Sequence, residues 1–222
     1  MSKGKITPKN ILNKNKKSKI TLENILDKAS TDNISDALKS ICGRNGVISG
    51  IKPLNKNTKI IGQIRTAYTN SSDWGTCIKA IYSCQKDEIL FINCSDTEHA
   101  VWGELASKAA MKQGIKATVI NGATRDTKEV LELGFPLFSK DYMPNAGYPM
   151  NNGVIGERLS IENNIIVNGD YLIGDYDGVV IIPKEHLDEV LEEVNNVVNF
   201  EKSVSDELLN TDKNLDDILN IE

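Results

Sequence analysis

The chain has 222 residues, 40% apolar and 26% charged, a globular balance for one domain with short extensions, and with aromatics at 5% the aliphatic residues must fill its core. Its net charge of −5 hides an asymmetry: residues 1–20 hold seven lysines and no acid, leaving 19 basic against 31 acidic side chains over the rest. So acidic a body is a poor nucleic-acid surface, no apolar run approaches the roughly 18 residues of a membrane span, and none follows the basic N-terminus as a signal peptide would require.

Residues 1–20 read as a flexible Lys-rich arm. Order is expected from Thr21, where Leu22, Ile25 and Leu26 share a helical face, and a second helix follows Ser30-Thr31-Asp32 with Ile34, Ala37, Leu38 and Ile41 inward. From residue 59 the rhythm becomes strand and helix in alternation. Ile60–Ala67 predicts a strand, Asp73–Tyr82 a helix, Glu88–Asn93 a buried strand, His99–Gln113 a helix, Ala117–Ile120 a strand and Thr127–Leu133 a helix. This alternation predicts parallel strands covered by helices. Residues 141–176 are richer in Gly, Pro and Asn, with short β-like pieces at Val154–Ile155, Ile165–Val167 and Tyr171–Ile173. A strand at Gly178–Ile182 and an amphipathic helix at Lys184–Lys202 close the domain, 21–202. Residues 203–222, with six acids and one Lys, read as an acidic tail or a partner-binding helix. The cysteines at 42, 77, 84 and 94 form no metal or redox spacing, which suits reduced thiols and a cytoplasmic home.

In parallel α/β sheets ligands bind beyond the carboxyl ends of strands, where helix N-termini present free N–H groups. Two junctions of that kind are visible: Ser95–Leu105, and Asn121-Gly122-Ala123-Thr124-Arg125-Asp126 after the strand ATVI. Only four of the 26 basic residues are Arg, so Arg125 beside a Gly-containing turn suits a bidentate grip on a carboxylate that Lys cannot copy. An ion pair from Arg125 to Asp126 or Glu104 is the competing reading. Asp126 can be a helix cap or a metal ligand, and Glu104 can simply favour a helix N-terminus. His99 is either a proton-transfer partner of Glu104 or a solvated loop residue, His186 reads as surface, and Asp175 and Asp177 fit a tight turn. Lys116 is the one lysine suggestive of Schiff-base chemistry.

The stretch Gly103-Glu104-Leu105-Ala106, then Ala109-Ala110, Gly114 and Val119-Ile120-Asn121-Gly122-Ala123-Thr124-Arg125-Asp126, resembles the RraA-like family, which includes the 4-hydroxy-4-methyl-2-oxoglutarate/4-carboxy-4-hydroxy-2-oxoadipate aldolases. The family's signature is an acid, twenty intervening residues, then Arg-Asp, and Glu104, Arg125 and Asp126 keep that spacing. Ile34-Ser35-Asp36-Ala37-Leu38 and Gly169-Asp170 through Gly174-Asp175-Tyr176-Asp177-Gly178 to Pro183 match further, so the resemblance spans roughly residues 25–202. It implies a single compact α/β domain of the swivelling β/β/α type, a central sheet flanked by helices, assembled as a homotrimer or hexamer. It also implies a divalent-metal-dependent lyase that cleaves a 2-oxo acid to pyruvate, by retro-aldol reaction or oxaloacetate decarboxylation. Arg125 would bind the substrate carboxylate, and Asp126 would ligate Mg²⁺ or Mn²⁺. Glu104 would hold a metal-bound water and assist proton transfer, and the backbone at Gly103, Leu105 and Ala106 would hold further substrate oxygens. Glu201, from a neighbouring subunit, is the nearest match to an acid that reaches the metal's waters, with Glu192 and Glu193 competing. The family's other branch, regulators that bind a ribonuclease, is the alternative. Residues 141–152 do not follow the family pattern, which leaves the wall around the substrate's distal half unassigned.

Overall fold

The computed structural model describes residues 20–221, so the Lys-rich arm lies outside the described residues except for Ile20, which is buried. Two helices lead, α1 (Ile25–Lys28) and α2 (Thr31–Cys42), followed by β1 (Lys52–Pro53) and the long β2 (Ile60–Thr69). Then come α3 (Gly75–Ile81), β3 (Ile89–Cys94), β4 (Ala100–Trp102), α4 (Glu104–Gln113), β5 (Ala117–Thr124), α5 (Thr127–Leu133) and β6 (Leu137–Tyr142). The short strands β7 (Val154–Ile155), β8 (Leu159–Ile161) and β9 (Asn164–Ile166) precede β10 (Tyr171–Asp175), β11 (Gly178–Ile182), α6 (Leu187–Asn210) and α7 (Leu215–Leu219).

The main sheet runs β1-β6-β5-β3-β2-β10-β11, with β4 on β5 and β7 on β2. Strands β2, β3 and β5 are parallel, as expected, and β5 is joined in parallel by β4 and by β6, a strand that the sequence reading did not assign. The later strands, whose direction the sequence reading left open, differ: β10 meets both β2 and β11 antiparallel. The sheet is nearly closed by residues 46–53. Val47 bridges Val180 on β11, Ile181 N–H donates to Gly46 O at 2.8 Å, and Lys52 and Pro53 pair with β6 at the opposite end. Phe91, Val119, Phe138, Leu172 and Val179 fill the inside, plugged by Leu159, Ile161 and Ile166 of the separate β8–β9 hairpin.

β3 shows why the sheet needs helices on its outer side. Ile89 and Phe91 point inward, while Leu90 and Ile92 alternate outward against α3, α4 and α5 through Ile81, Ala106, Ala110 and Val130. The outer face of β10 and β11 is covered by α1, α2 and α6 through Ile25, Ile34, Leu38, Val190 and Val194. Asp175 fixes α2 to the sheet, accepting from Thr31 N–H at 2.9 Å and from the Thr31 hydroxyl at 2.7 Å, while Asp177 N–H completes the turn at 2.9 Å.

Three sequence expectations are corrected. Residues 100–102 are strand rather than the start of a helix, because Ala100, Val101 and Trp102 are all buried against β5 and Gly103 is extended. β5 continues through Thr124, where a turn was expected from Gly122; that glycine instead makes room for Cys94, whose Sγ would lie 2.8 Å from an added Cβ. The last long helix runs to Asn210, eight residues past Lys202, and α7 follows, so most of 203–222 is helical rather than a loose tail.

Residues 143–153 are fastened to the start of α3 by close backbone contact. An added Cβ on Gly75 would lie 1.6 Å from Met150 O, and one on Gly147 would lie 2.0 Å from Ser72 O. Buried Asp73 ties the two segments, accepting from the Thr76 hydroxyl at 2.7 Å, the Thr69 hydroxyl at 3.0 Å and Asn152 N–H at 3.0 Å. Burial alone would raise its carboxyl, but the hydrogen bonds from Thr76, Asn152 and Thr69 outweigh that and hold it below the ordinary 3.8. With a folded value below the unfolded one, the tie contributes fully above the ordinary value and is lost as pH falls through the depressed one. Asp73→Asn should therefore cost about 2 kcal/mol at pH 7, with that deficit against wild type shrinking toward pH 3 in denaturant titrations. A deficit unchanged between the two pH values would remove the charge from this account.

Candidate active site

A cleft of about 190 Å³ opens beyond the carboxyl ends of β4 and β5. That is smaller than the roughly 300–1,000 Å³ of sites for drug-sized ligands, and suits a small acid. Gly103, Leu105, Ala106, Arg125 and Asp126 line it, so five of the residues singled out in the sequence converge there. Glu104 joins them through its backbone. β5 delivers Arg125 and Asp126, with Arg125 N–H donating to Trp102 O at 2.9 Å, so the two strands end at the same level.

At Asp126 the backbone turns through the left-handed region, φ 54°, which Asp tolerates better than most residues. Its carbonyl starts α5 by accepting from Val130 N–H, but its side chain does not cap that helix. Instead Oδ2 accepts from Glu104 N–H at 3.1 Å, at the N-terminus of α4. This approach depends on Gly103, since an added Cβ there would stand 2.4 Å from Asp126 Oδ2 and 3.2 Å from Arg125 Cγ. The cap reading of Asp126 is thus right in kind, applied to a different helix.

The competing ion-pair reading survives only weakly. Arg125 Nε lies 3.7 Å from Asp126 Oδ2 with both side chains more than a third exposed, a pair worth little. The terminal guanidinium nitrogens have no hydrogen-bond or ion-pair partner among the described residues. Glu104 pairs with Lys108, one turn along α4, rather than with Arg125. The N–H groups of Leu105 and Ala106 make no hydrogen bond among the described residues, as expected in a first helical turn. Asp126 Oδ1 likewise has no partner among the described residues. The cleft therefore offers an open guanidinium fork, two unpaired amide donors and one available carboxylate oxygen.

Among the described residues no three His, Cys, Asp or Glu side chains gather as a metal cage. The donors present still fit a hard cation of the Mg²⁺ type, which keeps most of its waters and uses one or two carboxylates; Asp126 would be that ligand. Within this chain Glu201 accepts from Asn33 Nδ2 at 2.7 Å and Glu193 from Ser40 at 3.2 Å, so both are engaged with α2 rather than with the cleft. His99 approaches Ser71 Oγ at 3.4 Å, beside Asp96, whose carboxyl is lowered mainly by the Ser71 hydroxyl. His186 pairs with Glu189 near the surface, and Lys116 is exposed, which removes the desolvation a Schiff-base lysine needs.

The sequence reading missed the apolar part of the lining: Trp74, Ile78, Ala100, Val101 and Ala146. Trp74 and Ala146 belong to the α3 start and to the segment fastened over it, so their signal was long-range contact rather than local pattern. Both tryptophans of the chain, Trp74 and Trp102, line the cleft.

Residues 31–181 match the family model RraA-like, described as Aldolase/RraA. The chain belongs to the RraA-like family. An uncharacterized protein of Methanocaldococcus jannaschii is 37% identical over 178 residues, covering 79% of this chain and 85% of that protein. A protein of Halalkalibacterium halodurans, provisionally named a 4-hydroxy-4-methyl-2-oxoglutarate aldolase, is 34% identical over 160 residues, covering 72% and 75%. A Streptomyces coelicolor structure, described as an unusual member of the RNase ES inhibitor RraA protein family, shares the fold with a TM-score of 0.71 at 19% identity, covering 83% of this chain and 96% of that one.

The Gly103 contact is testable without any ligand. Gly103→Ala and Asp126→Ala should each speed hydrogen exchange of the Glu104 amide about tenfold or more, with little change in global stability. Unchanged exchange in both variants would mean that Asp126 does not hold the α4 terminus.

Proposed function

We propose that the protein is a divalent-metal-dependent lyase that cleaves a C–C bond of a 2-oxo acid to release pyruvate. The observation that carries this reading is the convergence of Arg125, the Asp126 carboxylate and the unpaired Leu105 and Ala106 N–H groups in one small cleft. The family assignment and the aldolase name of the Halalkalibacterium halodurans relative support it.

In this reading Arg125 grips the C1 carboxylate with its planar fork, and the two amides at the α4 N-terminus hold the remaining oxygens at the positive end of the helix dipole. Asp126 would hold Mg²⁺ or Mn²⁺, which when bound supplies Lewis-acid polarisation of the 2-oxo group. Glu104, on the rim, assists removal of the distal hydroxyl proton. As that proton leaves, the C3–C4 bond breaks, C4 becomes a carbonyl, and the bonding pair moves toward C2 as an enolate that takes a proton at C3 to become pyruvate. Loss of CO₂ from oxaloacetate leaves the same enolate and needs no further group. We place the protein in the cytoplasm as a homotrimer or hexamer, in which Glu201 of the partner subunit would complete the site. The free state of all four cysteines is in keeping with a reducing compartment.

Because the family description joins aldolases with RraA proteins, a non-catalytic regulator that binds a ribonuclease is the second reading. One assay separates the two. Pyruvate release from oxaloacetate should require Mg²⁺ or Mn²⁺, vanish with excess EDTA, fall at least 100-fold in Asp126→Ala, and fall at least tenfold in Arg125→Lys, where the fork is lost. Absence of turnover in a folded oligomer would favour the regulator, and turnover that survives both EDTA and Asp126→Ala would contradict the metal assignment.

A further inference from the structure

The charged and donor groups of the cleft are few, and the rest of its lining is apolar. Arg125, Asp126 and the α4 amides face the position assigned to the carboxylate and 2-oxo group, while Trp74, Ile78, Val101 and Ala146 form the rest of the wall. Each indole has a single polar atom, and both are bonded elsewhere: Trp74 Nε1 donates to Gly147 O at 3.2 Å, and Trp102 Nε1 to Ser107 Oγ at 2.9 Å. What the rings offer the cleft is hydrocarbon. Lys108, the cation one turn along α4, is held by Glu104.

This wall is also fixed. Trp74 N–H donates to Tyr148 O at 3.1 Å, Tyr148 N–H returns a bond to Ser72 O at 2.7 Å, and the Asp73 bonds pin Asn152 beyond them. At Gly75 and Gly147 the segment packs backbone against backbone, with no room for a Cβ at either position. A second carboxylate placed against Trp74 and Ala146 would lose its water and find no donor, which is costly, whereas a hydrocarbon group there gains from burial.

We propose that the substrate is a 4-hydroxy-2-oxo acid with a single carboxylate, whose C4 carries an uncharged aliphatic or aromatic group. This rests on the lyase reading for the reaction and on the apolar wall for the substituent. The hydroxyl proton leaves C4–OH, the C3–C4 bond breaks, and the products are pyruvate, protonated at C3, and an apolar aldehyde; no oxidant or co-reactant is consumed.

The test compares pyruvate release from 4-hydroxy-2-oxo-4-phenylbutanoate and from 4-hydroxy-4-methyl-2-oxoglutarate by the full chain with Mg²⁺, with oxaloacetate as a third substrate that lacks a distal half. The phenyl compound should have a kcat/KM at least tenfold above the diacid's. Because both tryptophans line the cleft, their fluorescence also reads binding without turnover, and 4-methyl-2-oxopentanoate should bind at least tenfold more tightly than 2-oxoglutarate. Ala146→Arg, or Ile78→Lys should the first variant fail to fold, places a cation on the wall and should reduce or invert both preferences. Equal or better use of the diacid, with oxaloacetate still decarboxylated, would overturn the substrate proposal and leave the lyase reading standing. No turnover of any substrate, with the binding preference intact, would overturn the lyase reading and retain the apolar wall as a recognition surface. Loss of the binding preference itself would overturn the proposal whatever the kinetics.

Discussion

A carboxylate held against the first amide of α4 organises this site, and it can be there only because residue 103 lacks a side chain. Asp126 Oδ2 and Glu104 N–H meet at 3.1 Å across a gap that a Cβ on Gly103 would occupy. The contact joins the end of β5 to the start of α4. It draws Arg125 to the mouth of the cleft and keeps one oxygen of Asp126 turned away from the protein. The bent backbone at Asp126, φ 54°, is the conformational cost of this arrangement. Parallel pairing of β4 with β5 sets the two chain ends level, so a three-residue strand is as necessary to the cleft as the residues that line it.

The apolar lining at Trp74 and Ala146 is built by a different means. Residues 143–153 have little regular structure of their own, yet they are held by hydrogen bonds to Ser72, Asp73, Trp74 and Thr76 and by the absence of Cβ atoms at Gly75, Gly147 and Gly153. The polar groups of the site are therefore set by a strand–helix junction, and part of its apolar lining, Trp74 and Ala146, by a fastened segment. Division of that kind lets the chemistry stay constant while the accepted substrate varies with the segment.

How far the sequence foretold this depended on the range of the interaction. The strand EILFIN was legible because both its faces are buried and its apolar run is continuous, and α6 because Leu187, Val190, Leu191, Val194 and Val197 recur at helical spacing. The two junctions that carry Glu104, Arg125 and Asp126, picked out in the sequence, do meet in the fold. β4 was read as helix because Ala100-Val101-Trp102 runs straight into a helical pattern, and only the β5 neighbour makes it a strand. Gly122 was read as a turn residue, whereas it is there to admit Cys94. Trp74 and Ala146 carried no local signal at all, since what brings them to the cleft is backbone contact between segments some 70 residues apart in sequence. The helix was likewise expected to stop at Lys202, where the heptad-like apolar spacing thins, but it continues to Asn210, with Glu207, Leu208 and Leu209 the good helix formers of its last turns.

The central claim is that Asp126 holds a divalent cation beside donors that receive a 2-oxo acid. Mn²⁺ titration followed by electron paramagnetic resonance, with and without oxalate as an unreactive mimic of the pyruvate enolate, tests it most directly. Wild type should bind Mn²⁺, oxalate should tighten that binding, and Asp126→Ala should weaken it at least tenfold with the oxalate effect gone. Equal Mn²⁺ binding by wild type and Asp126→Ala, with oxalate making no difference to either, would contradict the account.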